Sequence, residues 1–435
     1  MKDLLEKLYP LNRVLVHDDI EKAIELITER FPDKCYKIHE YPVGSNVWTW
    51  KIPQRNKVNK GVLKDEDGVV YADFDNHPLY LWSYSISVNK KLEWNELKDH
   101  IYTNEKCPNA IPWYFKYYEK TWGFSIEHNK FLNMPKHKKY HVEIDIEFSN
   151  SPGLKNLTYF IDYGQEKDFL MTSNICHPYQ VNDSISGVVA AVELINRFHK
   201  KPIEKPTKNL NFLFCPETIG SIAYLANNEH KIEQTSSGFF TEFIGHKDKE
   251  NFILQHSRNK EDKINQVFEY VLKRQNKTYD VISFRRTNDE GNINGPGVNI
   301  PCPAVYRGNL TNDKRIFYDV NFYDEYHTSF DNPDIISELK LEEAVDLFEE
   351  VLRIFCSDYT PKQIEKGVLF LTGLNMHTSF YDLPEMGVFI EQVVYMLEGK
   401  HSVFEIANEL NLDYWNVKTF IDELYIKKAI KKLLV

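Results

Sequence analysis

The chain has no CxxC pair: its six cysteines, at 35, 107, 176, 215, 302 and 356, are scattered over 435 residues. That spacing offers neither a disulfide framework nor a zinc ribbon, so the cysteines read as reduced thiols. Long apolar runs are missing too. No stretch approaches the roughly 18 residues that span a bilayer, and the amino terminus, MKDLLEKLYPLNRVLV, carries acids and no long apolar core. There is no excess of basic residues either. A formal net charge of -11 argues against a general nucleic-acid or anionic-membrane surface. Together these absences lead to the expectation of a soluble, cytoplasmic protein without a membrane partner.

At this length one ordinary core is exceeded, and two or three domains are expected. Asp18 to Phe31 places Ile20, Ala23, Ile24 and Ile27 at helical spacing behind acids in the first turn, which reads as an amphipathic helix; a strand-like stretch, Tyr36 to Val43, follows. From Trp48 the runs WTWKIP, GVLKDEDGVVYADF, PLYLWSYSISV and YHVEIDIEF are short and broken by turns, with one helix at Trp94 to Tyr102. This block, 47–149, reads as a separate β-rich unit whose aromatics either fill a small core or form a binding face.

After Gly153 strands and helices alternate. Strands are expected at Thr158 to Asp162, Phe169 to Thr172, Leu210 to Phe214, Gly238 to Phe243, Asp280 to Phe284 and Ala304 to Arg307. Helices are expected at Ser184 to Phe198, Ile219 to Asn227, Asp262 to Arg274 and Glu338 to Cys356. Such alternation predicts a largely parallel, helix-covered sheet. The fold class is therefore α/β: a sheet domain of 1–46 and 150–362 interrupted by the β-rich block. The tail, 363–435, has helical segments at Phe389 to Leu397, Val403 to Leu410 and Tyr414 to Leu424 and then a short apolar end, the order of a winged helix. Its last helix offers Lys418 against Asp422 and Glu423, which disfavours nucleic-acid contact through that helix, although Lys427, Lys428, Lys431 and Lys432 keep the question open.

The chemistry-bearing residues gather after strands. In FLMTSNICHPYQVNDSISG, Phe169 to Gly187, an apolar strand stops at Ser173-Asn174, His177 follows in the loop, and Asp183 stands where the next helix begins. In an open α/β sheet this is the edge where ligands bind. A neutral imidazole and a carboxylate are both good zinc ligands, while Asp183 alone would serve equally as a helix N-cap. The strand Leu210 to Phe214 runs into CPETIGS, which puts Glu217 at the same edge. It reads either as a general base beside a metal or as a helix-start carboxylate favoured by the dipole. In EYHTSFDNPD, His327 is a candidate third ligand or an ordinary loop histidine, and Glu242 at the end of Gly238 to Phe243 a further ligand or a surface carboxylate.

Taken in order, these pieces resemble the dinuclear-zinc aminopeptidase and glutaminyl cyclase superfamily. The resemblance is closest to a bacterial group of aminopeptidase-like proteins with an inserted domain of unknown function and a carboxy-terminal winged helix, and SNICHP, NDSISG, PETIGS, HSR, NDEGNINGPGVNIP and EYHTSFDN carry it. It covers nearly the whole chain. It implies a three-layer α/β/α zinc-peptidase-like domain, with His177 and His327 as ligands, Asp183 as the carboxylate that bridges two metals in the superfamily, Glu217 as general base, and Glu242 near the remaining acidic ligand. The superfamily usually follows its base with a glutamate that binds zinc. Here that residue is Thr218, a poor ligand beside a carboxylate, so the expectation is one zinc ion with a second left open. Arg258 is a candidate for a substrate carboxylate, and Asp289 and Glu290 for a substrate amino group; a surface-loop reading serves all three equally.

The implied activity is hydrolysis of an amide or peptide bond by metal-activated water, with a peptide or small amide as substrate. Aminoacyl cyclisation, hydrolysis of a metabolite amide, or a site decayed into a binding or regulatory protein are the alternatives. Self-association of the chain stays open.

Overall fold

Short apolar runs bounded by turns become eight strands of one sheet: β1 (Tyr36–Tyr41), β2 (Leu154–Ile161), β3 (Asp168–Asn174), β4 (Asn209–Cys215), β5 (Thr235–Thr241), β6 (Phe252–Gln255), β7 (Tyr279–Ile282) and β8 (Ala304–Arg307). The structure is a computed structural model describing residues 1–286, 288–311, 320–376 and 390–433. Spatial order across the sheet is β1-β2-β4-β3-β5-β8-β6-β7. The central four, β4, β3, β5 and β8, run parallel, whereas β2 is antiparallel to both β1 and β4, and β6 is antiparallel to β8. The largely parallel sheet expected from alternation is thus a mixed one. Periodicity reports strand and helix but not direction, and the sharp return from β1 through the insertion to β2 makes an antiparallel pair. Strand β6, four residues of FILQ, escaped the sequence reading because so short an apolar run carries no usable period.

Every residue of β3 and β4 is buried, as expected where helices cover both faces of a sheet. Helices α1 (Lys2–Leu8), α2 (Asp18–Thr28), α3 (Ile185–Lys200), α4 (Ile219–Asn227), α5 (Lys263–Arg274), α6 (Asp289–Ile293) and α7 (Glu338–Ser357) supply that cover. Val188, Val192 and Ile195 of α3 and Phe348, Val351 and Leu352 of α7 join Phe169, Met171, Phe212 and Phe239 in one continuous core. Close approach of α3 to β5 requires Gly187, since a Cβ there would lie 2.2 Å from the Thr241 carbonyl oxygen. The result is the three-layer α/β/α arrangement.

Residues 47–149 build their own antiparallel sheet, in the order Val70–Asp73, Arg55–Asp65, Lys139–Ser149, Val88–Glu93. Leu63, Phe124, Tyr140, Val142 and Ile144 are the centre of its core. The helix expected over Trp94 to Tyr102 is shorter. A capping box starts it at Glu93, but after Leu97 it tightens into a 3₁₀ turn, Lys98–His100, and Ile101–Tyr102 pairs with Phe124–Ser125.

After α7 come α8 (Ile390–Tyr395), α9 (Val403–Glu409) and α10 (Tyr414–Ile426), and Phe389, the expected start of the first, lies outside the described residues. The terminal strand Ile430–Leu433 pairs antiparallel with Thr360–Gln363, the segment that directly follows α7. Asp422 of α10 binds both Lys418, at 2.9 Å, and Lys432, at 2.7 Å, so the helix's own lysine and one of the four that kept nucleic-acid contact open are neutralised within the tail. Among the described residues no helix is long and apolar enough to cross a membrane.

Candidate active site

Because β3, β4 and β5 are parallel and in register, their carboxyl ends deliver three loops to one edge: 175–184 after β3, Pro216 to Thr218 after β4, and Glu242 after β5. The loop carrying His177 and Asp183 is clamped from two sides. The buried Arg13 guanidinium donates to the carbonyls of Ile175 (2.9 Å), Cys176 (2.7 Å), Gln180 (2.8 Å) and Leu8 (3.1 Å). Opposite it, the Asp331 carboxylate accepts the backbone N–H groups of Val181 (3.2 Å), Asn182 (2.8 Å) and Asp183 (3.1 Å) and the Tyr323 hydroxyl (2.8 Å). Carbonyls face a cation and amides face an anion, so a loop with little regular structure is held rigidly while buried. Burial lowers the Arg13 pKa to about 10, which leaves it charged at neutral pH.

This clamp brings together residues far apart in sequence. Asp183 Oδ1 lies 3.5 Å from His177 Nδ1, and Asp183 Oδ2 lies 3.1 Å from His327 Nε2. One ligand atom from each of His177, Asp183 and His327 falls within 4.8 Å of the others. Both histidines adopt positive φ, 75° and 56°, a backbone region that non-glycine residues rarely occupy and that clusters at functional sites. Glu217 stands on the far side of His177, with Oε2 3.3 Å from Nε2, and its backbone N–H donates to Cys176 Sγ at 3.0 Å.

The inserted unit closes the site from above. Trp113 N–H donates to the His327 carbonyl (2.7 Å), Ser329 N–H to Ile111 O (2.8 Å), and Ile111 N–H to Ser329 Oγ (3.0 Å). The Trp113 ring stands edge-on to both imidazoles, with centroid distances of 4.5 Å to His177 and 4.7 Å to His327, and its Nε1 is fixed on Ser83 Oγ at 3.0 Å. Tyr326 stacks on His327 at 3.9 Å. Tyr71, Trp122, Phe124 and Tyr140 are among the aromatics that fill the insertion's core, whereas Trp113 is spent on the site.

Behind Glu217 lie further carboxylates. Glu242 Oε1 accepts from Asn288 Nδ2 (2.9 Å), and Glu290 Oε1 accepts from Gln255 Nε2 and Asn288 N–H, both at 3.0 Å. Asp289 accepts the Thr218 N–H at 3.0 Å and the Ser221 hydroxyl. Thus Asp289 and Glu290, expected in a loop, start the short helix α6 and are buried, while Arg258 is placed elsewhere. Its side chain is exposed and donates to Asn294 O (3.2 Å) and Asn299 Oδ1 (2.8 Å), bracing the Gly/Pro-rich loop, with no hydrogen bond to the site carboxylates. Arg13, Trp113 and Asn288 were not singled out from sequence. The only trace of the first two is a lone cation in the apolar stretch PLNRVLV and an aromatic run, IPWYFKYY.

The electrostatics of the group are one-sided. Burial raises the carboxyls of Glu217, Asp183 and Glu242 well above their usual range, and for Glu217 the neighbouring Asp289, Asp183 and Glu290 push the same way. Burial likewise lifts Asp289 to about 7, the Ser221 hydroxyl pulling against it. His177 is held well below the ordinary imidazole value by burial and by His327, and burial takes His327 down to about 3, so both rings are neutral. Neutral imidazoles are the form that ligates a divalent cation, and carboxyls whose charge burial and mutual repulsion disfavour would be relieved by one, which would displace their protons.

Hydrogen bonding tests the fit independently. Both Asp183 oxygens, Glu242 Oε2 and His327 Nε2 are buried without a hydrogen-bond partner in the structure. Leaving such groups unpaired costs on the order of 1–3 kcal/mol each, more when charged. A divalent ion between the imidazoles and Asp183 removes that penalty, so these residues suit zinc.

Fold and site together define the class: this is the α/β fold of the zinc aminopeptidases, with His177, Asp183 and His327 grouped at the sheet edge as residues that could hold a metal ion. The chain belongs to the family described as Domain of unknown function (DUF4910), which it matches over residues 2–358. A Clostridium acetobutylicum protein named "Putative polysaccharide biosynthesis protein with aminopeptidase-like domain" is 27% identical over 439 residues, 99% of this chain and 95% of that one. The crystal structure of a "putative peptidase" from Clostridium acetobutylicum superposes with a TM-score of 0.83 at 26% identity, covering 99% of this chain and 96% of the other. BSAP, a zinc aminopeptidase from Bacillus subtilis, superposes with a TM-score of 0.60 at 13% identity over 81% of this chain and 93% of its own, a likeness of fold.

Proposed function

We propose that the protein is a zinc-dependent aminopeptidase-like hydrolase that cleaves the amide bond following a free amino terminus. The observation that carries this reading is the trio His177, Asp183 and His327, gathered within 4.8 Å with both carboxylate oxygens unpartnered. Zinc held by these three residues supplies Lewis acidity to a water and to the scissile carbonyl. Thr218 offers no carboxylate for a second ion, and one ion per chain is the stoichiometry proposed. Glu217 is the general base. It lies 3.3 Å from His177 and is 28% exposed to the cleft in front of it, and its pKa is raised by burial and its acidic neighbours, the direction that strengthens a proton acceptor. It takes a proton from the attacking water and returns it to the departing amine. Glu242 and Asp289, crowded by neighbouring acids, are carboxyls whose ionised form an ammonium group would stabilise.

Asp331, Arg13 and Trp113 do no chemistry; they hold the loops and exclude water around the two imidazoles. Replacing Glu217 by Gln is expected to abolish turnover of a panel of aminoacyl amides while zinc content, measured by elemental analysis, stays at the wild-type value. Loss of zinc, or unchanged turnover, would overturn the assignment of Glu217 as base.

A further inference from the structure

A cleft of about 570 Å³ opens in front of Glu217. Its inner wall is Glu217, Thr218 and Ile219 with Leu15, and its outer wall, Trp50 and residues 114–119, comes entirely from the insertion. The outer wall continues a ladder of rings that starts at the site itself: Trp113 to Phe115 at 4.7 Å, then Phe115 to Tyr117 at 4.6 Å. Trp50 and Tyr118 meet at 6.3 Å on the same side. The wall's two charged side chains cancel, because Lys116 Nζ binds the two Glu119 oxygens at 2.9 and 3.0 Å. The outer wall is therefore aromatic and free of net charge, and the cleft's size lies within the range of small-ligand sites.

Glu217 sits between this cleft and the buried carboxyls of Asp183, Glu242 and Asp289, which lie near enough to raise its pKa or to have theirs raised by it. Building on the aminopeptidase reading, the orientation of a substrate follows from charge. Its ammonium group goes to the carboxylates, its carbonyl to Glu217 and the imidazoles, and what remains passes into the aromatic cleft. We propose that the inserted domain builds the leaving-group side of the site, and that the preferred substrates are peptides whose second residue is bulky, apolar and uncharged.

The test compares the dipeptide amides Ala-Phe-NH2, Ala-Ala-NH2 and Phe-Ala-NH2 on the zinc-loaded full chain. Binding is measured by calorimetry with the Glu217→Gln variant, and turnover with the wild type. Ala-Phe-NH2 is expected to bind roughly tenfold more tightly than Ala-Ala-NH2, as burying and stacking one ring implies. Phe115→Ala and Tyr118→Ala, in the same background, are expected to bring the two affinities to parity. These rings are 38% and 55% exposed, so their loss leaves the fold intact. Equal affinities for the two peptides, or a preference that survives both substitutions, would overturn the proposal. So would a loss confined to Phe-Ala-NH2, which would put the aromatic cleft on the amino-terminal side. If no peptide is hydrolysed by the wild type but the Ala-Phe-NH2 preference and its loss are seen, the hydrolase reading fails and the assignment of the cleft stands.

Discussion

Replacing Arg13 by Met separates the loop clamp from the ligands it serves. Met retains most of the apolar stem, so the change removes mainly the guanidinium and its four bonds to the carbonyls of Leu8, Ile175, Cys176 and Gln180. At about 1.5–3 kcal/mol for each charge-assisted bond the gross loss is roughly 6–12 kcal/mol. Against this stands the several kcal/mol recovered by no longer burying a cation, and net losses for breaking such a buried arrangement run at about 3–5 kcal/mol. Three of the four carbonyls belong to the loop that carries His177 and Asp183. The same change should therefore loosen the centre, and zinc affinity is expected to fall about 10- to 100-fold, as it does when groups that orient ligands are removed. Urea denaturation of the metal-free protein reads the first quantity, and competition with a chelating indicator reads the second. A variant as stable as wild type, or one destabilised with zinc affinity unchanged, would refute the view that Arg13 organises the site.

Thr218→Glu supplies the carboxylate that this chain lacks after its base, and zinc stoichiometry by elemental analysis is expected to rise from one to two per chain; an unchanged ratio would show that Thr218 is not what limits the count. A pH-dependent loss of stability is expected from His17, whose Nδ1 accepts the Asp19 N–H at 3.0 Å as the N-cap of α2 and whose pKa burial lowers to about 4. A depressed imidazole pKa stabilises the fold above the unfolded value of about 6.5 and is lost as pH falls toward 4, on the order of 3 kcal/mol over that window. His17→Asn, which keeps a capping oxygen but does not titrate, should flatten denaturation midpoints between pH 7 and 4, whereas an unaltered slope would assign the effect to other groups.

Much of this candidate site was legible because its chemistry-bearing residues follow strands. His177, Glu217 and Glu242 come directly after apolar runs that could only be buried, and three parallel strands must bring their carboxyl ends to one edge. His327 was legible only as one of two open readings, third ligand or ordinary loop histidine, until the resemblance favoured the first, since the segment before it carries no periodicity. Side-chain direction was not legible. Arg258 and Asp289 both carried a surface-loop reading, yet one braces the Gly/Pro-rich stretch from outside and the other is buried and accepts the Thr218 N–H, a difference set by tertiary hydrogen bonds. Trp113 was hidden for a related reason: an aromatic run in a β-rich block signals burial but not whose surface does the burying. Strand direction at the sheet's flanks was equally silent, because hydrophobic pattern is the same read forwards or backwards.

Three ties between the insertion and the His327 loop, with Trp113 wedged against two imidazoles, have an evolutionary corollary. At that seam the insertion and the His327 loop must stay matched. A chimera that takes residues 47–149 from a distant relative would inherit that relative's ceiling and outer wall along with its β-sheet, and diversification of what such proteins process is expected to be written mainly in the guest sequence, the host changing little.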